Sequence, residues 1–429
     1  MHIGIIGAGA AGLTAARSLV QSGHAVTVYE KSDKGIGGIA GAVPIHNTWI
    51  DKFYHHIFTS DREVLSLIDE MGLSGDMLWE EPKNGLMLDG RLYPFTSPLN
   101  LLLFPPISFA SRIRMGLAVL SAKSVKDYKS MEDISAREWL VKKAGQDSYD
   151  KIWRTLLYSK FGKDADQVSG VWIWNKFKLR GSTRSNLNSE LLGYLRGSFY
   201  RLYRALAEDI EKRGGQMLYQ PVTRLAAAEG GKVSVRTEQD EKIYDKVLFT
   251  ASPNELRGLC DFPDEYARKL DKIKYKSNIC MTIIVKQPVS EYYWVTVAEE
   301  KAPFVLFIEH TNLIKDKDYG DNHVIYLSRY IDESDPFFQA ADSEIQSVFL
   351  AYAQKLFPRF HPEDILDSYI HRCVYSQPVI VRRYSEIVPP YETPVQNLYL
   401  ASMSQIYPED RGQNYAVRMG AAAAEIIKG

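Results

Sequence analysis

His2-Ile-Gly-Ile-Ile6-Gly7-Ala-Gly9-Ala10-Ala11-Gly12-Leu-Thr-Ala-Ala-Arg17 opens the chain after its first methionine, and its reading decides the fold. A short apolar run reads as a strand, GxGxxG as a turn, and the small residues after it as a helix. Each glycine has its own task in such a turn. Gly7 permits the sharp exit from the strand, Gly9 lets backbone approach a pyrophosphate, and Gly12 lets the helix lie close on the sheet. The amides of Ala10 and Ala11 belong to a helix N-terminus, whose unpaired N–H groups and positive dipole end suit a phosphate. Val26-Thr-Val-Tyr-Glu30 reads as the next strand and ends on a carboxylate roughly twenty residues past the turn, where a ribose is held. Glu30 and the adjoining Lys31 therefore join the glycines as candidate cofactor-binding residues.

Gly35-Ile-Gly37-Gly38-Ile39-Ala-Gly41 follows. It resembles the loop that runs under the flavin in flavoproteins with two dinucleotide-binding domains. That resemblance implies noncovalent FAD held in part by Gly37, Gly38 and Ile39. The family usually carries Arg directly after the glycine pair, and Ile39 stands there instead. No second GxGxxG is present, so no separate nicotinamide domain is expected.

At 429 residues the chain is expected to form two domains. A net charge of −1 gives no global field for nucleic acid or an anionic membrane surface. Cys260, Cys280 and Cys373 are far apart and form no CxxC pair, which argues for a reducing compartment and against a structural metal site. The N-terminus lacks a cationic n-region, and its glycines are accounted for by the nucleotide turn. The expected location is the cytoplasm. Leu99 to Phe109 is apolar, but it is broken by Pro105-Pro106 and too short to span a bilayer. Core packing is its first reading; a substrate-tunnel wall or a peripheral membrane contact are the alternatives.

Residues 61–75 place apolar residues at helical spacing, and 108–205 reads as mostly helical, with Ser135-Ala-Arg-Glu138 as a capping box. Residues 199–213 form an amphipathic helix, and Gln216–Tyr219 and Lys246–Thr250 read as strands around a hairpin at Lys232–Tyr244. Residues 278–330 alternate like antiparallel strands. Asn397–Ala401 and Tyr415–Lys428 close the chain as strand and helix.

Gly193-Tyr-Leu-Arg-Gly197-Ser-Phe-Tyr-Arg-Leu-Tyr-Arg with Gly214-Gly215 and Val222-Thr-Arg-Leu resembles the middle flavin segment of the protoporphyrinogen oxidase and amine oxidase superfamily. The resemblance implies an α/β fold, with a Rossmann-like FAD-binding domain and a mixed α+β substrate domain. The FAD-binding domain would be discontinuous, comprising 1–60, 193–258 and 385–429. The substrate domain would comprise 61–192 and 259–384, with a helical portion at 100–190. Val222 would lie against the adenine. Ala401-Ser402-Met403 stands where the family has a glycine and an acid, so Arg411, Gly412 and Tyr415 are the candidates for that end of the cofactor, beside Asp410.

Asp51-Lys-Phe-Tyr54-His55-His56-Ile57-Phe58 resembles the segment by which UDP-galactopyranose mutase places a histidine against its flavin, and His56 matches that histidine. Imidazole there donates to the ring or moves a proton near neutral pH. Two adjacent histidines in a strand point to opposite faces, so at most one of the pair is expected to face the flavin. Trp172-Ile-Trp174-Asn-Lys176-Phe-Lys178-Leu-Arg180-Gly-Ser-Thr-Arg184 interleaves aromatics with cations. Lys176, Arg180 and Arg184 are candidates to hold an anionic substrate group, against a bland reading as a solvated helix face with tryptophans in the core. Arg383 and Tyr384 precede the last flavin segment and are further substrate candidates. Tyr375 and Tyr407 are weighed alongside them, as are Lys274 and Lys276, since amine oxidases use a lysine to hold a water. His310, His323, His361 and His371 show no ligand spacing.

No GxSxG elbow or catalytic-cysteine signature is present. The resemblance implies an FAD-dependent oxidoreductase that takes a hydride from a small organic substrate, with a sugar or surface-polysaccharide precursor among the options. Two alternatives differ in kind: a mutase-like sugar enzyme without net redox, and a non-enzymatic lipid carrier of the Rab escort type.

Overall fold

The computed structural model describes residues 1–33, 35–182, 184–186 and 189–429, and their side chains except within 180–189. The opening strand, His2–Ile6, pairs in parallel with Ala25–Tyr29 on one side and with Lys246–Phe249 on the other. Gln216–Leu218 adds beyond Ala25–Tyr29, and Leu398–Leu400 beyond Lys246–Phe249, both in parallel. In chain order the sheet runs third, second, first, fourth, fifth. That is the Rossmann arrangement, in which ligands bind outside the carboxyl ends of the strands where the order reverses.

Residue type explains the close fit of the helices. Ala10–Gln21 packs on the sheet and against the closing helix Gln413–Lys428 and the helix Tyr200–Lys212. A methyl group on Gly12 would stand 2.0 Å from the Gly7 carbonyl oxygen, and one on Gly420 would stand 2.3 Å from that of Ala11. Both crossings therefore exist only because these positions carry no side chain.

A second sheet of seven strands runs Ile365–Pro378, Tyr275–Val285, His323–Ile331, Leu306–Glu309, Trp294–Val297, Asn84–Leu88 and Arg91–Pro94. Its central strands are apolar on both faces and buried. Helices including Phe109–Ser124, Ala136–Ala144, Arg154–Phe161 and Gly170–Ser182 form a third body. The capping box at Ser135 forms as read: Ser135 N–H donates to Glu138 Oε2 at 2.6 Å, and Glu138 N–H donates to Ser135 Oγ at 3.1 Å.

Three readings are corrected. The helical stretch ends at Ser182; Arg184–Asn186, Ser189–Glu190 and Leu192–Leu195 are strands, the last paired with Met77–Glu80 and Ile57–Phe58. His55 and His56 precede the short strand Ile57–Phe58 rather than lying in one, so strand alternation does not separate them. In the apolar stretch Leu99 to Phe109, Phe104 and Ile107 are buried, but Leu99, Leu102, Leu103 and Phe109 are exposed. Core packing therefore describes only part of it. No helix among the described residues is long and apolar enough to cross a membrane.

Candidate active site

The last residues of three parallel strands, Ile6, Tyr29 and Phe249, line the inner end of a cavity of about 2120 Å³. Pockets for one small ligand run to about 300–1,000 Å³, so this one has room for two. Gly7 turns with φ 107°, a region that only glycine enters freely. Thr250 Oγ1 then bridges the Ile6 and Gly7 carbonyls at 2.9 and 3.2 Å. Gly9 is the N-cap of the first helix, with no side-chain cap and no acidic residue in the first turn. The space beside this helix end is open, for a methyl group on Gly9 would meet no atom within 4 Å. Gly9, Ala10 and Ala11 all line the cavity, as do Gly37, Gly38 and Ile39. The two glycine loops are stitched together: Gly37 N–H donates to the Ala8 carbonyl at 2.8 Å.

Glu30 is buried at the end of its strand, accepting from Ala8 N–H at 3.0 Å and Ser32 N–H at 2.9 Å. An ionised carboxylate has about four acceptor sites, so it keeps capacity for a ribose. Lys31 pairs with Glu255, and both line the cavity, as does Val222.

A second helix N-terminus reaches the same cavity. Gly412 caps Gln413–Lys428 without a side-chain hydrogen bond, and Arg411, Gly412 and Tyr415 line the cavity wall. Gln413 Oε1 accepts from the Tyr203 hydroxyl at 2.5 Å, while its buried Nε2 has no partner.

Both histidines border the cavity. His56 Nδ1 lies 3.1 Å from the Tyr293 hydroxyl. Burial, with Lys176 nearby, lowers His56 to about 4. A group lowered to about 4 is neutral at pH 7, which suits a hydrogen-bonding imidazole. His55 is lowered to about 3 by burial, then by Arg411 and His56, and its Nδ1 is unpaired.

Beside the histidines lies a cluster that the sequence does not announce. Asp410 pairs with Lys176 and accepts from Trp172 Nε1 at 3.3 Å and Gln377 Nε2 at 3.4 Å. Burial opposes its ionisation, yet Lys176, Lys160 and Arg411 hold its carboxyl well below the usual range. Arg411 donates to Gln377 Oε1 at 3.0 Å and to the Tyr330 hydroxyl at 2.9 Å. Tyr330 is 3.3 Å from the Tyr54 hydroxyl, and the Lys160 ammonium stands 4.8 Å from the centre of its ring. Burial lowers Lys160 to about 8. In Tyr330 burial acts upward, but Lys160 and Arg411 outweigh it and bring the phenol down to about 8.

Of the substrate candidates, Lys176 reaches the cavity, as does Trp172 from the same helix, while Trp174 is buried away from it. The side chains of Arg180 and Arg184 lie outside the described residues. Arg383 does not reach the cavity: it sits in a left-handed turn at φ 54° and pairs with Asp133 on the surface. Tyr384 does not either, being fully buried with its hydroxyl donating to the Ser404 carbonyl at 2.9 Å. Tyr407 donates to Glu132, whereas Tyr375 lines the cavity. Lys276 is spent on Asp164 and Asp332, at 2.8 and 2.5 Å, and Lys274 on Asp164 at 3.6 Å. Lys160, whose ammonium stands over the Tyr330 ring, lines the cavity as well.

Residues 10–428 match the family of flavin containing amine oxidoreductases. The chain belongs to that family. Zeta-carotene desaturase of Arabidopsis thaliana is 25% identical over 270 residues, 57% of this chain and 45% of the desaturase. The chain thus spans about half the length of the curated relatives it matches. Among solved structures it is similar to a protoporphyrinogen oxidase-like protein from Exiguobacterium (TM-score 0.80, 19% identity, covering 100% of this chain and 98% of that one). It is also similar to reduced UDP-galactopyranose mutase (TM-score 0.78, 16% identity, covering 100% and 95%). At such identities the likeness concerns the fold. For a flavin containing amine oxidoreductase the cavity fits its cofactor class: an open cradle at Gly9, an uncapped helix end, a buried carboxylate at Glu30 and an orphaned Gln413 amide.

Proposed function

We propose that the protein is an FAD-dependent oxidoreductase that removes a hydride from a small organic substrate. The observation that carries this reading is the uncapped N-terminus at Gly9, open to a cavity large enough for a dinucleotide and a second molecule. The amides of Gly9, Ala10 and Ala11 would hold the pyrophosphate, Glu30 the ribose and Val222 the adenine. Arg411, Gly412 and Tyr415, at the second helix end, would hold the electron-rich edge of the ring. FAD, when bound, accepts the hydride and passes electrons to an acceptor. His56, neutral and held by Tyr293, orients as a hydrogen-bonding group. Lys160 and Tyr330 hold exchangeable protons that titrate near pH 8. The apolar wall formed by Leu101, Ile152, Leu156 and Phe177 excludes water and favours a substrate with a hydrocarbon body over a sugar.

The two sheets support the division of the chain into an FAD-binding unit of 1–60, 193–258 and 385–429 and a substrate unit of 61–192 and 259–384. The first draws its five strands from those three segments, and the second draws its seven from the other two. The free thiols Cys260, Cys280 and Cys373 support a reducing, cytoplasmic setting.

The test is the visible spectrum of the purified protein, with the heat-released cofactor identified by chromatography. Bound FAD that bleaches anaerobically with substrate is the expected result. Turnover only by pre-reduced flavin, with no net bleaching, would replace this reading with the mutase-like one. A protein that refuses FAD would leave the carrier.

A further inference from the structure

The stretch from Arg91 to Lys126 contains Arg91, Arg112, Arg114, Lys123 and Lys126 and not one Asp or Glu, in a chain whose net charge is −1. The same stretch holds a dense group of exposed large apolar side chains. Leu99 is 59% exposed, Leu103 65% and Phe109 63%, and Ile113, Leu117 and Leu120 continue the series. Phe109, Ile113, Leu117 and Leu120 recur at helical spacing along one side of Phe109–Ser124, whereas Ser111, Met115, Ala118 and Ala122 are buried on another. The short helix Pro98–Leu102, which packs on this one, extends the apolar surface. An ordinary surface helix keeps its second side polar, so an apolar second side marks a surface that meets something apolar.

Two further observations narrow the occupant. Ile113, Leu117 and Leu120 are exposed and also line the cavity, so the apolar surface borders its outer mouth. The stretch itself carries cations and no acid, which complements an anionic surface; the carboxylate bonded to it, Asp147 at the Ser108 N–H, is paired with Lys151. Arg112 donates to the Leu102 and Ile107 carbonyls at 2.9 Å, which ties the two helices together without removing its charge.

We propose that the face formed by Pro98–Leu102 and Phe109–Ser124 docks on the surface of an anionic phospholipid bilayer, with the cavity mouth held against the lipid. Apolar side chains entering the acyl boundary and cations attracted to lipid headgroups act together, each nearby basic residue adding about five-fold to partitioning. A substrate with a hydrocarbon body would pass from lipid to cavity without crossing water.

The experiment is co-sedimentation of the purified holoprotein with vesicles of phosphatidylcholine alone and of phosphatidylcholine with phosphatidylglycerol. It compares the natural chain with the double variant Leu103→Glu, Phe109→Glu. Neither side chain lines the cavity and both are mostly exposed, so far-UV dichroism and flavin content should be unchanged. The expected result is binding to the anionic vesicles, weakened by salt, with at least a ten-fold loss in the double variant. Failure of the natural chain to sediment, or equal binding by the variant, would overturn the proposal. So would light scattering that shows a dimer which the double variant dissolves, since a second copy would then cover this face. Vesicle binding needs no turnover, so its failure would leave the redox reading standing.

Discussion

At Gly9 a substitution separates folding from cofactor binding. The site is an N-cap with free space around it. Asp is among the best N-cap residues, worth about 1 kcal/mol over Ala there, because its carboxylate accepts from the first-turn amides. Those amides are the donors a pyrophosphate needs. Gly9→Asp should therefore fold at least as well as the natural chain without cofactor, yet lose flavin at least ten-fold, read as the ratio of visible to protein absorbance. Normal flavin content would remove the phosphate from Gly9. Tyr330 offers a second test, since Lys160 and Arg411 bring it to about 8. Below that pH it is a neutral donor, and above it a phenolate. The visible spectrum of bound flavin should show a transition near pH 8 that Tyr330→Phe removes and Lys160→Met moves upward. An unchanged transition in Tyr330→Phe would assign it elsewhere. The two sites differ in how far the sequence exposes them. Gly7, Gly9 and Gly37 are legible because backbone conformation and close approach are written in the residue type. The Lys160–Tyr330–Arg411 cluster joins a helix, a strand end and a loop far apart in the chain, with no local spacing to betray it.

The element Thr48–Asp51 shows how a polar group can be held inside the fold. Asp51 is buried, accepting from the Tyr194 hydroxyl at 2.6 Å and the Ser198 hydroxyl at 2.8 Å, so it fixes the strand to the turn before Tyr200–Lys212. Burial raises its carboxyl to about 7 against the hydrogen bonds that favour ionisation. The unfolded chain releases this proton near 3.9. Between those values the native state binds more protons, so the contribution is full below about pH 4 and is lost as pH rises to about 7, at about 1.4 kcal/mol per pH unit. Asp51→Asn lacks the titration. Across that window the natural chain should lose stability relative to the variant, seen in urea midpoints at pH 5 and pH 7; parallel profiles would sink the assignment. Elements with a clean period, such as Ala10–Gln21 and Tyr200–Lys212, are legible from sequence. Leu192–Leu195 is not, because it is buried throughout and shows no alternation. What fixes it is a tertiary fit: a methyl group on Gly193 would stand 2.8 Å from the Trp79 ring.

On the scale of the whole molecule, the cavity runs from the glycine turn to the apolar helix Phe109–Ser124, so the proposed function places cofactor and substrate at opposite ends of one space. The sequence shows the first end through its motif. It conceals the second, because the apolarity of Leu99 to Phe109 reads first as core, and only exposure tells the two apart. This separation makes a change at the mouth distinguishable from one at the flavin. Leu117 is 57% exposed and lines the cavity. Leu117→Trp adds bulk at the mouth while leaving Gly9, Glu30 and Arg411 untouched. Flavin content and its spectrum should match the natural chain, and kcat at saturation should hold. KM should rise about two- to ten-fold, more steeply as the hydrocarbon body of the substrate lengthens, since a narrowed mouth weakens binding in ground and transition states alike. Steady-state kinetics over substrates of increasing hydrocarbon length provide the measurement. A uniform fall in kcat with KM unchanged would mean that Leu117 acts on the reacting geometry and that the substrate enters by another route.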